Sequence, residues 1–329
     1  MAAVKTVKSK PQDWCFVSGI ISVAEVDLLK QAFFLDIMRC HDAESVFNLI
    51  SKTRYRNIIT SPEDVNLLSI KTEEFFAKEL ASIRPYVPDE LIIDFFLFPE
   101  EVKKLRQTLL DLQPNQKHKT LNIIEEFCAQ MPGYFWNNYS NICLPYLQKA
   151  SEGLMSRREF SLFLDSITLG IMFSGWAQAL PQGTISDAVK EYTSYRLVSL
   201  VARALESGIT YNHIVNTMLT EPISKSFPEN WEDMLCAPGG KLGIPLLHIF
   251  GIESHEEDIR NPEILERIAD DKASEILLKA KYTAFGPEKA FNYLWAIWIQ
   301  NKNLRLSAGV VLGKLPAEQV QEKLRREFV

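Results

Sequence analysis

The residues whose types and spacing come closest to a reactive site are the run Gly239-Gly240-Lys241. A glycine-rich turn that ends in lysine is typical of loops that bind phosphate through backbone N–H groups. This run lacks the first glycine of that pattern at the required distance, and Leu242 follows the lysine where a serine or threonine is needed. The patterns GxGxxG, GxSxG and HExxH do not occur in the sequence. We therefore predict neither a nucleotide site nor any cofactor-binding residue.

A second group of chemically capable side chains surrounds His255. An imidazole with nearby carboxylates can ligate a metal ion, and the same composition is also typical of an acidic loop in water. The neighbouring acids are Glu253, Glu256, Glu257 and Asp258. The other histidines are isolated in the sequence: His41, His118, His213 and His248. We favour the solvated loop and predict no metal-ligating residues.

The apolar run from Phe160 to Leu180 contains one formal charge, Asp165. A run of this length could span a membrane, but polar residues interrupt it, which favours a helix buried in protein. Asp165 could be an acid with a perturbed pKa, and a hydrogen-bonded structural role is the alternative that we favour. We predict no catalytic residues anywhere in the chain.

The composition is that of a soluble globular protein. The 329 residues are 47% hydrophobic and 24% charged, with a net charge of −6, so a nucleic-acid partner is not expected. The five cysteines are odd in number and form no CxxC pair, which indicates reduced and mostly buried thiols in a cytosolic protein. No signal-peptide pattern precedes residue 20. The length is enough for two or three folded units.

One long helix near the end of the chain organises the sequence. Gly286 can cap it, Pro287 suits its first position, and Gly313 ends it after Leu312. Apolar residues and one asparagine recur at heptad spacing: Ala290, Leu294, Ile297, Asn301, Leu304, Ala308, Val311 and Leu315. Phe291, Trp295 and Trp298 widen this face, so the helix must be packed on more than one side. A short last helix should then bury Val320, Leu324 and Phe328, with Lys323, Arg325 and Arg326 in its last turn.

Helix signals dominate elsewhere, and no stretch alternates with the period of a strand. Ser22 and Glu25 form a capping-box pair, Asp42 can cap the next helix, and Ser61-Pro62 opens another that ends before Pro85. The further predicted helices are 91–112, 120–130, 134–150, 156–180, 184–206, 209–220, 245–250, 261–268 and 270–280. The sequence therefore predicts an all-α fold.

A weak internal repeat divides the chain. The segments 101–106 (EVKKLR), 196–201 (RLVSLV) and 300–305 (QNKNLR) align with a shared leucine, at steps of nearly equal length. A second pair of similar segments is 52–55 (KTRY) and 279–282 (KAKY). We predict three related helical units, residues 1–117, 118–211 and 212–329, each of ordinary domain size.

The C-terminal stretch resembles the end of the C/d family of central-stalk proteins, which belong to archaeal-type, bacterial and eukaryotic vacuolar-type (V/A-type) rotary ATPases. The matching segments are Phe285-Gly286-Pro287-Glu288, Tyr293-Leu294, Asn303-Leu304-Arg305, Gly313-Lys314-Leu315-Pro316 and Leu324-Arg325. The segments 42–55 (DAESVFNLISKTRY) and 96–110 (FLFPEEVKKLRQTLL) resemble earlier parts of that family. The chain departs from the family pattern at Gly19 and Ile21 (an Arg-x-Arg pair in the family), Lys104, Arg196, Ser199 and Gln300, and in a shorter final turn.

The resemblance implies three helical subdomains around a pseudo-threefold axis, in a funnel shape. It implies a non-catalytic central-stalk subunit, a socket that links the rotor shaft of the soluble ATPase head to the membrane proteolipid ring in proton or sodium transport. The implied partners are the shaft subunits and the ring, with no small-molecule substrate, no nucleic acid and membrane contact only through the ring. The implied location is the cytoplasmic face of the membrane.

Two other functions are compatible with the residues. The first is a helical protein–protein interaction scaffold unrelated to rotary ATPases. The second is an enzyme with an unusual site, centred on Asp165 or on the acidic loop around His255. The co-purifying proteins would separate the scaffold from the rotor subunit, and a deep pocket at either acidic group would favour the enzyme.

Overall fold

A computed structural model of the chain describes residues 10–111, 126, 157–172, 176, 179–209, 262–313 and 315–326. The described part is helical and contains no β-strand, which confirms the all-α prediction. Its α-helices are α1 (Cys15–Ala24), α2 (Gln31–Met38), α3 (Ala43–Ile50), α4 (Leu68–Ile83), α5 (Leu91–Asp111), α6 (Arg157–Ile171), α7 (Thr184–Glu206), α8 (Pro262–Leu278), α9 (Pro287–Leu312) and α10 (Ala317–Lys323). Short 3-10 helices connect several of them, at Pro11–Trp14, Glu25–Asp27, Arg54–Asn57, Pro62–Leu67 and Arg84–Tyr86.

The chain divides into two compact units. Unit 1 takes its described residues from Asp94–Ala269, and unit 2 takes them from Val7–Ile93 and Asp270–Val329. The borders that the repeat suggested, at 117/118 and 211/212, lie outside the described residues. The division into three related subdomains around a pseudo-threefold axis therefore stays a prediction.

Helix α9 is the centre of unit 2 and begins and ends where the sequence predicts. It packs against α1, α2, α3, α4 and α10, and residues 290–297 are buried all round. The predicted stripe is buried from Ala290 to Ala308, whereas Val311 is half-buried and Leu315 is 48% exposed. The prediction that the stripe continues to Leu315 is wrong, because the helix stops at Leu312.

Gly286 caps α9 with a backbone that other residues avoid. Its φ is 138°, and a Cβ at this position would lie 2.8 Å from Oε2 of Glu288. Pro287 then occupies the first helical position, where its missing N–H leaves no hydrogen bond unmade. The Gly-Pro pair therefore fixes the start of α9 through local geometry.

The chain breaks between α1 and α2, which the sequence did not predict. The Ser22–Glu25 capping box is wrong: Ser22 lies inside α1, and its hydroxyl donates to the carbonyl oxygen of Ser18. The first helix begins earlier, at Cys15, and α2 begins only at Gln31. The other caps are confirmed, because the Asp42 side chain accepts from the Ser45 N–H and Ser61 precedes the turn that leads into α4.

Helices α4 and α9 run antiparallel within unit 2. The Tyr293 hydroxyl on α9 donates a hydrogen bond to the Glu79 carboxylate on α4. Two turns later along α9, the Asn301 amide donates to the carbonyl oxygen of Thr72, which lies two turns earlier along α4. Consequently the end of α4 and the start of α9 lie at the same end of unit 2. The start of α4 and the end of α9 lie at the opposite end.

The C-terminal segment folds back onto α9. Val320 and Leu324 are buried as predicted, and Phe328 lies outside the described residues. Because α10 ends at Lys323, Arg325 and Arg326 follow the helix instead of forming its last turn, which corrects that prediction.

In unit 1, α6 packs against α7, and Phe95 and Phe98 pack around Trp176 with ring centroids 5.8 and 6.0 Å from the indole. Helix α5 continues through Pro99, and α7 is close to its predicted bounds. Helix α8 is continuous where two helices, 261–268 and 270–280, were predicted, because no proline or glycine interrupts residues 263–278. The predicted helices 120–130, 134–150, 209–220 and 245–250 lie in parts that the structure does not describe, apart from residues 126 and 209.

Candidate functional site

Asp165 is held by arginines in unit 1. Its Oδ1 accepts a hydrogen bond from Nη1 of Arg106 at 2.8 Å, and its Oδ2 lies 3.7 Å from Nη2 of Arg203. Burial raises the pKa of Asp165, and the nearby guanidinium groups act in the opposite direction. The carboxylate thus joins α5, α6 and α7, and this geometry favours the structural role over that of a reactive acid.

The repeat positions in unit 1 also make contacts within the chain. Nη1 of Arg196 lies 2.5 Å from the carboxylate of Glu266, and the Ser199 hydroxyl donates to the carbonyl oxygen of Pro262 at 3.0 Å. Glu101 and Lys104 pair with each other at 2.6 Å on the surface of α5. These side chains hold helices to one another or lie in exposed ion pairs.

Gln300, the residue that stands where the family has an acid, lies in the core of unit 2. Its side chain is 6% exposed. Its Oε1 accepts from the backbone N–H of Leu29 at 2.5 Å, and its side chain also hydrogen-bonds the Tyr55 hydroxyl. An amide can accept and donate at the same time, whereas a carboxylate can only accept. Glutamine therefore fits this position better than the acid.

A buried polar network lies beside Gln300 and links α4 and α9 to the 3-10 turn after α3. Glu79 accepts from Arg54 at 2.5 Å and from the Tyr293 hydroxyl at 2.6 Å. Burial and the bond to Glu79 both raise the pKa of Tyr293. Because Arg54 and Tyr293 already donate hydrogen bonds to the two oxygens of Glu79, we interpret Glu79 as a structural residue and not as a general base.

The neighbouring Tyr55 hydroxyl continues this network. It donates to Oδ1 of Asn301 at 2.6 Å, and burial raises the pKa of Tyr55. The Asn301 amide donates in turn to the carbonyl oxygen of Thr72 at 3.1 Å. Asn301, the polar member of the predicted apolar stripe, is thus a satisfied core residue.

The repeat positions of α9 hold the C-terminal segment. Asn303 accepts from the backbone N–H of Arg325 at 2.8 Å and donates to its carbonyl at 2.9 Å. Asp270, 1% exposed, contacts Nζ of Lys302 at 2.6 Å and Nε of Arg325 at 3.0 Å. Burial would raise the pKa of Asp270, but the two cations outweigh burial and lower it. Sequence reasoning missed Asp270 and Glu79, since their partners lie far away along the chain.

The other residues that the sequence singled out form no site in the described part. Gly239-Gly240-Lys241 and the acidic loop around His255 lie outside the described residues. Among the residues that are described, no three His, Cys, Asp or Glu side chains are grouped to hold a metal ion. Cys15 is a free and exposed thiol and Cys40 is a free and partly exposed one, so the prediction of mostly buried cysteines is wrong for these two. No helix in the described ranges is long and apolar enough to cross a membrane.

Exposed large apolar side chains gather at the two ends of unit 2. One end has Phe16, Val23, Val26, Tyr86, Tyr282 and Phe285. The other has Leu67, Ile70, Leu312 and Leu315. The first group lies near the start of α9: Glu25, next to Val26, is ion-paired with Lys289, and the rings of Phe16 and Tyr86 are in edge-to-face contact at 5.1 Å. Sequence patterns that mark buried stripes do not reveal such surfaces.

Comparison with known proteins found no protein family that matches the chain and no significant match to a curated protein. The function is therefore inferred from the geometry of the chain and from the resemblance of its motifs.

Proposed function

We propose that the chain is a non-catalytic central-stalk coupling subunit of a V/A-type ATPase or ATP synthase. In this role it is a socket between the rotor shaft of the soluble head and the proteolipid ring, and it transmits rotation without hydrolysing nucleotide. It works at the cytoplasmic face of the membrane and contacts the membrane only through the ring. The transported ion is a proton or sodium.

The observation that carries the proposal is the placement of the apolar surface in unit 2. The large exposed apolar side chains of the described part lie at the two ends of the antiparallel α4–α9 pair. From Phe285 to Leu312 the chain advances by roughly 40 Å at ~1.5 Å per helical residue. Apolar surface concentrated at two separate places is typical of a protein with two partners, and a coupling subunit needs two.

The polar groups support a mechanical role. Glu79, Asp165 and Asp270, three carboxylates that are buried or partly buried, each contact a cation of the same unit. Such pairs fasten helices to one another, and losing one partner is costly. A subunit that carries torque requires this stiffness, whereas a catalytic acid would need access to a substrate.

The motif resemblance supplies the identity of the partners. Gly286-Pro287 and Asn303, which belong to the resemblance, start α9 and hold the C-terminal segment. The resemblance therefore falls on residues that determine the fold of unit 2. A helical scaffold without a rotary partner remains the alternative function.

The test is purification of the tagged chain from native membranes under mild detergent. Recovery of the ATPase shaft subunits together with the proteolipid ring subunit is the expected result. Removal of the chain should leave ATP hydrolysis by the soluble head intact while ion transport is lost, because the chain couples the two. Repeated purification without shaft and ring subunits, or ion transport that is unchanged after removal, would overturn the proposal.

A further inference from the structure

The segment that follows α10 is bound by side chains of α8 and α9 through its backbone. Leu324 is extended there, with φ −63° and ψ 134°, and its side chain is buried. The Asn303 amide of α9 accepts from the N–H of Arg325 and donates to its carbonyl oxygen, as a residue on a neighbouring strand would. Asp271 of α8 accepts from the N–H of Arg326 at 2.9 Å. Proteins bind extended peptides in this way, through main-chain hydrogen bonds.

One side chain of the same segment reaches a buried carboxylate. Nε of Arg325 lies 3.0 Å from Oδ2 of Asp270, and the Arg325 side chain is only 13% exposed. The next arginine, Arg326, pairs with Glu275 at 2.6 Å, but its side chain is 71% exposed. Val320, earlier in the segment, is buried. These contacts therefore select apolar residues and one arginine, and they depend little on the second arginine.

The carboxylate that receives Arg325 stays paired when the segment is absent. Oδ1 of Asp270 lies 2.6 Å from Nζ of Lys302, which in turn lies 4.4 Å from the centre of the Trp298 ring. The Ser274 hydroxyl donates to the carbonyl oxygen of Asp270. A buried carboxylate that loses its last cation is costly, but Asp270 would keep one. Helices α8 and α9 therefore form this site without help from the segment.

We name residues 320–326 the strap. The strap site is the set of polar side chains on α8 and α9 that bind it: Asp270, Asp271, Glu275 and Asn303. We propose that the strap site is a binding site for an extended peptide in which arginine follows an apolar residue, and that the strap is its releasable ligand. The strap-bound and strap-free forms are thus two states of the folded chain.

The connection before the strap allows it to leave while α9 stays folded. Residues 312, 313 and 315–319 are exposed, so little buried surface holds them in place. Segments with few buried contacts open at a lower free energy than the core to which they are attached. The strap should therefore open by itself, before unit 2 unfolds.

The same connection favours the strap of the same chain over that of a second copy. Val320 follows Leu312 by eight positions. A tether this short holds the strap near its site at an effective concentration on the order of 1 mM. A second copy at micromolar concentration cannot compete with that, so the occupant in the free chain is its own strap.

Native-state hydrogen exchange of the full chain tests whether the strap opens by itself. Urea below the unfolding transition should barely accelerate exchange of the strap amides, because the opening exposes little surface. The same urea should strongly accelerate exchange of the α9 amides, which requires global unfolding. Equal urea dependence of the strap and α9 would overturn the proposal.

The two arginines of the strap provide a variant and its matched control. Arg325→Ala removes the bond to Asp270 and should speed exchange of the strap amides about ten-fold or more. Arg326→Ala removes the exposed pair with Glu275 and should speed it less than about three-fold. Circular dichroism should show the native helix content in both variants. Equal effects of the two changes would show that the buried carboxylate does not hold the strap.

A synthetic peptide tests the strap site from outside the chain. The probe has the sequence of residues 318–326, EQVQEKLRR, with a photoreactive residue at the position of Arg326, whose side chain reaches Glu275. At about 1 mM, it should crosslink to α8 about ten-fold more in the Arg325→Ala chain than in the native chain, whose own strap fills the site. A second probe that itself carries Arg325→Ala should crosslink at background level. Equal crosslinking by the two probes, or none to the Arg325→Ala chain, would overturn the assignment of a peptide site.

Two further outcomes separate the strap from other interpretations. Dimers of the native chain at micromolar concentration, joined by crosslinks from the strap of one copy to α8 of the other, would contradict the occupant from the same chain. Failure of any of these tests leaves the proposed function as it stands, because that function depends on the apolar ends of unit 2 and not on release of the strap.

Discussion

Replacing Gln300 with glutamate tests the core of unit 2 most directly. This change introduces the acid that the family it resembles has at this position, with almost no change in volume. In the native chain the amide accepts from Leu29 and bonds the Tyr55 hydroxyl, whose single proton already goes to Asn301. A carboxylate would therefore face a phenol oxygen that has no proton left to donate.

The magnitude follows from the burial. Gln300 is 6% exposed. A buried acceptor left unsatisfied costs about 1–3 kcal/mol, and an unpaired buried charge adds a comparable amount. In the variant, the hydrogen bond from the Leu29 N–H to the carboxylate is charge-assisted and therefore stronger, which offsets at most ~1–1.5 kcal/mol of this destabilisation. We expect Gln300→Glu to lower the free energy of unfolding by about 3 kcal/mol near neutral pH.

The penalty should depend on pH with a definite sign. Burial raises the pKa of a carboxyl group, so in the folded variant it lies above its unfolded value of about 4.3. The destabilisation is therefore full above the folded pKa and shrinks as the pH falls toward the unfolded pKa, because a protonated carboxyl can again donate. Urea unfolding at about pH 7.5 and about pH 5, followed by tryptophan fluorescence, measures both values.

The matched control is Glu101→Gln, the reverse exchange at the equivalent repeat position of unit 1. Glu101 pairs there with Lys104, whose side chain is 67% exposed, so the expected loss is below about 1 kcal/mol. Two results would refute the reasoning: a free energy of unfolding for Gln300→Glu within ~0.5 kcal/mol of that of the native chain at neutral pH, or a loss of stability that grows as the pH falls.

Four further substitutions test unit 2 by urea or thermal unfolding. Trp298→Ala should cost about 1–2 kcal/mol against about 3–5 for Trp295→Ala, because Trp298 is only half-buried; equal losses would contradict this packing. Asp270→Asn should cost about 3 kcal/mol at neutral pH by leaving two cations without their charge partner. Because the folded pKa of Asp270 is lowered, that difference should persist above about pH 4 and close as the pH falls through the folded pKa; a constant difference argues against the ion pairs. Gly286→Ala should cost about 1–3 kcal/mol through the strained φ, and an unchanged thermal midpoint would show that the backbone there adapts.

Several helix boundaries could be predicted from the sequence because their signals are local. Gly286-Pro287 starts α9, Asp42 caps α3, and Ser61-Pro62 leads into α4. Each signal acts through a fixed φ or through a side chain that bonds the backbone within three residues. The all-α class follows from the sum of such signals and from the absence of strand periodicity.

The break between α1 and α2 could not be predicted, since no proline or glycine marks it. The backbone N–H of Leu29 leaves the helical pattern and bonds Gln300, 271 residues away. The polar network has the same origin, because Glu79 and Tyr293 meet only when α4 and α9 lie antiparallel. These contacts satisfy buried polar groups that the local chain leaves unpaired.

The sequence by itself determined, to within two residues, where α3, α5, α7 and α9 begin and end, and which side of α9 is apolar. Only the tertiary structure decided that Asp165, Gln300 and Asn303 hold the fold, and that Phe16 and Val23 remain exposed. The physical reason is range: caps and periodicity act over a few residues, whereas burial and ion pairs depend on which distant segments fold together.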